Sequence, residues 1–123
     1  MVKCGNAACT SGNTSTLVDA PAGGIWGNTT ALVAAPDGRP VVIHSEGLTG
    51  AIRAVKCGNS ACSSGNIAGE LGGAQEGNAS GFPINIAMPA DAIPLVVFAA
   101  YVGVINNSKL IALKCSNAGC LAP

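Results

Sequence analysis

The sequence predicts an all-β chain assembled from antiparallel, four-stranded meander repeats, and three observations carry the prediction. One short stretch is written three times: Val2-Lys3-Cys4-Gly5-Asn6-Ala7-Ala8-Cys9, Val55-Lys56-Cys57-Gly58-Asn59-Ser60-Ala61-Cys62 and Leu113-Lys114-Cys115-Ser116-Asn117-Ala118-Gly119-Cys120. Its first Cys recurs after 53 and then 58 residues, a spacing that marks a repeat architecture. In both intervals an Asp stands three residues ahead of a Pro and an aliphatic run: Asp37, Pro40 and Val41-Val42-Ile43, then Asp91, Pro94 and Leu95-Val96-Val97-Phe98. The composition agrees, with 17 Gly and 7 Pro among Ala, Val, Ile and Leu, which suits short strands joined by turns.

Aligning the intervals gives the elements of one unit. A first strand carries Leu32 and Ala34 in one copy, and Ile84, Ile86 and Met88 at the equivalent places in the other. A turn follows at Asp37-Gly38, or at Ala90 to Ile93, where Asp favours the turn and Gly can supply positive φ. The second strand opens on Pro40 or Pro94, where a missing N–H is tolerated, and is apolar on both faces, as an interior strand requires. Turns at Glu46 to Gly50 and at Asn106-Asn107-Ser108 lead to a third strand ending at Cys57 or Cys115. A fourth strand is expected to start at the second Cys of each pair, so that the pair staples strands three and four. Glycine-rich connections, Asp19 to Gly27 and Ala68 to Gly81, link the units. Residues 1–123 are thus expected to form one repeat-built domain, with units at about 4–56 and 57–114 and a terminal half-hairpin at 115–123.

Charge and hydropathy exclude several classes. Net charge is zero and charged residues make up 10%, so the basic footprint of a nucleic-acid binder is missing. The longest apolar run, Ala92 to Ile105, is too short for a membrane span and is broken by Pro94 and Gly103. Paired cysteines point to disulfides, and hence to an extracellular or cell-envelope location. Met1-Val2-Lys3-Cys4 enters the first repeat with no apolar leader, so the export route is not legible.

The regular spacing predicts three disulfides, Cys4–Cys9, Cys57–Cys62 and Cys115–Cys120, each closing a small loop worth roughly 2 kcal/mol. Reduced cysteines and metal ligation are the alternatives. Zinc sites gather four ligands at one place, whereas these pairs lie a whole repeat apart beside a single His. No metal, cofactor or catalytic residue is expected. His44 reads as a strand-end histidine facing solvent or a partner rather than a general base, because no Gly-x-Ser-x-Gly turn accompanies it. Asp37 and Asp91 read as turn residues that accept from nearby N–H groups. Trp26, set among glycines, reads as an anchor between units, or as a platform for stacking a sugar. Trp26 and His44 are therefore the candidate ligand-binding residues.

The Lys-Cys-Gly-Asn-x-x-Cys hairpin, Leu17-Val18-Asp19 and Asp37-Gly38-Arg39-Pro40 resemble a family of bacterial tandem-repeat proteins whose units combine these motifs. The resemblance implies β-propeller blades and carries no activity. Asp91-Ala92-Ile93-Pro94 departs from the pattern by lacking the Gly, and no Val-Asp follows Cys62. The Ser-x-Asp-x-Gly-x-x-Trp turn of sialidase-type propellers is absent. About two blades make an incomplete ring, since propellers take roughly four to eight. Completion by oligomerisation or by a longer parent chain is then expected; a two-sheet sandwich or a stacked β assembly is the alternative fold. The functional expectation is a non-catalytic structural or assembly protein that self-associates. The alternatives are a propeller-type binding module for a glycan or surface ligand, and a fragment of a larger repeat protein.

Overall fold

The computed structural model describes residues 1–24, 26–71, 82–101 and 108–121, and no helix occurs among them. The described residues form nine strands: β1 (Val2–Lys3), β2 (Thr14–Ser15), β3 (Trp26–Ala34), β4 (Pro40–Glu46), β5 (Ile52–Lys56), β6 (Ile67–Glu70), β7 (Ile84–Ala87), β8 (Leu95–Tyr101) and β9 (Ser108–Lys114). They form a β1-β2 pair, a meander in the order β3-β4-β5-β6 and a second meander in the order β7-β8-β9, all antiparallel. The four-stranded sheet runs past Cys57, so it straddles the boundary at which the second sequence unit begins.

The expected turns are where the residues put them. Gly38 takes φ 74° in the β3–β4 hairpin, whose ends are tied by the Gly38 N–H donating to the Ala35 carbonyl at 2.9 Å. The Arg39 N–H donates to Asp37 Oδ1 at 2.9 Å, and the Ile93 N–H to Asp91 Oδ1 at 3.1 Å, the Asx-turn role predicted for both. Each Asp also receives the Lys that precedes the next Cys: Lys56 Nζ lies 3.2 Å from Asp37, and Lys114 Nζ 2.8 Å from Asp91. The backbone hydrogen bond from Arg39, helped by Lys56, holds the Asp37 carboxyl below its ordinary range, and Lys114 does so for Asp91. Between β4 and β5, buried Glu46 accepts from the Leu48 N–H, the Thr49 N–H and the Thr49 hydroxyl, which closes the Glu46 to Gly50 turn. The turn expected at Asn106-Asn107 lies outside the described residues.

All three cysteine pairs are disulfides, with Cα–Cα distances of 4.7, 4.8 and 4.9 Å. They do not staple two strands, which corrects the expectation that a fourth strand begins at the second Cys. Cys9, Cys62 and Cys120 take φ of 56°, 52° and 57°, left-handed values that turn the chain back on itself. The fourth strand starts five residues later, at Ile67 after Cys62. The intervening residues wrap the loop, with the Ser63 N–H donating to Asn59 Oδ1 and Asn66 Nδ2 donating to the Cys62 carbonyl. The first copy repeats these bonds through Asn6 and Asn13. Each disulfide therefore ties a compact knot at the end of the third strand.

The knot leaves no room at its first glycine. A Cβ on Gly58 would stand 2.3 Å from the Ser64 carbonyl oxygen and 2.4 Å from that of Gly65, both backbone atoms. Gly58→Ala is expected to destabilise the protein by about 1–3 kcal/mol, as overpacked sites do. Urea unfolding of the oxidised variant checks this; an unchanged midpoint would mean the loop opens freely.

The register repeats between the two meanders. Val41 pairs with Lys56 as Leu95 pairs with Lys114, and the Cys57 and Cys115 N–H groups donate to the Pro40 and Pro94 carbonyls at 2.9 Å each. The faces used for packing do not repeat. Ala31, Val33, Val41, Ile43, Ile52 and Ala54 line one face of the β3–β6 sheet, here face A. This face packs on Ile84, Ile86, Val96, Phe98, Ile111 and Leu113. Those residues occupy the opposite face of their own sheet, the positions equivalent to face B (Leu32, Val42, His44, Arg53, Val55) in the first. Leu32 and Ile86 share a register, yet Leu32 is 52% exposed while Ile86 packs into the core. The stacking is head to tail, face A of one sheet on face B of the next.

β4 is buried along its whole length, as its two apolar faces required. On β8 only Val96, Phe98 and Ala100 are buried; Leu95, Val97 and Ala99 on face A are half-exposed, so the both-faces expectation fails for this strand. A smaller core forms on face B of the first sheet, where Met1 and Val18 from the β1-β2 layer cover Val42, Val55, Cys57 and Cys62.

Candidate functional site

His44 sits inside β4 and is 6% exposed, which corrects its expected place at a strand end facing solvent. The strand continues to Glu46, paired on both sides, and the connection after β2 folds Asp19 down over it. His44 Nε2 lies 3.0 Å from Asp19 Oδ2. The same carboxylate receives Arg53 Nε at 2.8 Å and Arg53 Nη2 at 3.4 Å. An ionised carboxylate only accepts, so Nε2 carries the hydrogen of the His44 bond. Burial alone would raise the Asp19 carboxyl, but the bonds and charges of Arg53 and His44 outweigh it and hold the group below its ordinary range. Their side chains retain only 7%, 9% and 19% exposure for His44, Asp19 and Arg53.

Asp19 and His44 of this cluster line a cavity of about 410 Å³. Val18, Ala31, Leu32 and Val42 give it apolar sides, and Asp19, Thr30 and His44 a polar patch. Met1 and Val18, which pack on Val42 and Val55, line the cavity from the β1-β2 side. Trp26 starts β3 opposite Glu46, and its neighbour Gly27 lines the cavity; the Trp26 side chain lies outside the described residues. Among the described residues no group of three or more His, Cys, Asp or Glu side chains is placed to hold a metal. Among the described residues no helix long and apolar enough to cross a membrane occurs.

Sequence reasoning missed Asp19 and Arg53 as site residues. A signal was present. At the equivalents of His44 and Arg53 the second sheet carries Phe98 and Ile111, so two polar positions turn apolar together, as members of one buried set must.

Compared with known proteins, the chain matches no protein family, no curated protein and no solved structure. The resemblance to bacterial tandem repeats rests on the motifs alone.

Proposed function

We propose that this chain is a non-catalytic, disulfide-braced β-repeat building block that works by packing against further copies of itself, in the manner of successive propeller blades. One observation carries the reading. Face A of the β3–β6 sheet is buried, with Val41 and Ile43 at 0% exposure, whereas on the second sheet its equivalents Leu95, Val97 and Ala99 are half-exposed and Leu110 and Ala112 are exposed. Asp19, Arg53, Asp37, Lys56, Asp91 and Lys114 are engaged structurally, in the Asp19 cluster and in the Asp37–Lys56 and Asp91–Lys114 pairs. The three disulfides are compatible with an oxidising location, which supports an extracellular or cell-envelope setting.

Sedimentation velocity of the oxidised protein tests the proposal. Concentration-dependent assemblies larger than the 12.0 kDa chain are expected; a monomer from low micromolar to several hundred micromolar would end it. A second reading, a binding module for a glycan or surface ligand, is favoured by the cavity beside His44, whose volume lies within the range of small-molecule sites.

A further inference from the structure

The three disulfide knots have unequal surroundings. Cys57 and Cys62 are 1% and 0% exposed beneath Met1 and Val18, and Cys115 and Cys120 are 4% and 0% exposed beneath the first sheet. Cys4 and Cys9 are exposed, and beside them Val2 is 63% exposed. Val2 stands at the equivalent of Val55, which is fully buried on face B. The β1-β2 layer thus presents an exposed Val2 on face B with its knot, while the β7-β8-β9 sheet presents a face A on which Leu110 and Ala112 are exposed and Val97 is half-exposed. The chain itself shows what fits such surfaces, because it joins face A to face B twice already.

We infer that the outer face of the β7-β8-β9 sheet, centred on Val97, Leu110 and Ala112, docks the Val2 and Cys4–Cys9 surface of a second copy. The inference rests on the self-assembly reading and specifies its geometry. Val97, Leu110 and Ala112 on one surface and Val2 on the other are apolar, their cross-strand neighbours Asn85 and Ser15 are uncharged, and Lys114 on the sheet face is paired with Asp91 at 2.8 Å. The contact joins two different surfaces, so it propagates from copy to copy and closes only if the rotation per copy allows a ring.

Two charge substitutions and their mixture test this. Val2 and Leu110 are 63% and 78% exposed, so Val2→Glu and Leu110→Glu should keep the wild-type melting temperature. Each alone should weaken association by about tenfold or more, since a carboxylate would be buried unpaired in the contact. An equimolar mixture should recover one intact contact, Leu110 of the first variant against Val2 of the second, and sediment as a 1:1 dimer that grows no further. If Leu110→Glu blocks assembly while Val2→Glu assembles like wild type, the hairpin is not the partner surface; the inference falls and the assembly reading stands. Wild-type protein that remains monomeric overturns both.

Discussion

Asp19→Ala is expected to destabilise the oxidised protein by about 3–5 kcal/mol, the cost of removing one partner from a buried ion pair. The carboxylate accepts from His44 Nε2 at 3.0 Å and from Arg53 Nε at 2.8 Å, and its loss would take the shared anion from between two largely buried donors. Against the roughly 5–15 kcal/mol that holds a domain together, that is a large fraction. The second sheet suggests the rescue. Replacing the set by apolar residues, Asp19→Ala with His44→Phe and Arg53→Ile, should recover most of the loss, because no charge is then stranded. The pH dependence has a fixed sign. The folded carboxyl lies below its ordinary value of 3.8, so its contribution is complete above that pH and disappears as the pH falls from there through the folded value. Urea midpoints at pH 7 and pH 3 read both effects. A triple variant no more stable than Asp19→Ala alone would show that packing, not the stranded charge, sets the cost.

What the sequence disclosed was mostly local. The cysteine pairing follows from a separation of five residues, and the Asp37 and Asp91 turns from side chains that bond two residues ahead. The meander follows from strands long enough to pair and turns short enough to join them. What stayed hidden depends on what lies above and below a sheet. Leu32 and Ile86 hold one register, and no local pattern says that the first faces a cavity and the second a core. The same holds for His44: its neighbours on β4 are apolar, and only Asp19, 25 residues earlier, makes its burial tolerable. The fourth strand was misplaced because Cys62 takes a left-handed conformation that composition favours for Gly and Asn, not Cys. The disulfide and the Cys62 N–H bond to the Asn59 carbonyl at 3.0 Å hold it there.

Phe98→Ala is expected to destabilise by about 3–5 kcal/mol, and Leu110→Ala by less than about 0.5 kcal/mol in the monomer. The two side chains belong to adjacent strands of one sheet and would look equally apolar in a hydropathy plot. Phe98 is 2% exposed, flanked by its cross-strand partners Ile84 and Ile111 and part of the same core as Val41, Ile43 and Ala54 of the first sheet. Removing its ring would leave a void that the paired strands on both sides cannot collapse to fill. Leu110 lies on face A and is 78% exposed, so little of it is removed from water by folding one chain. Urea unfolding at a concentration below assembly separates the two. Equal losses would mean that both faces of this sheet are buried within one chain, and the open surface on which assembly depends would not exist. If the split is as expected, raising the protein concentration should increase the stability of wild type more than that of Leu110→Ala, because mass action then adds the energy of a contact that the folded monomer leaves unmade.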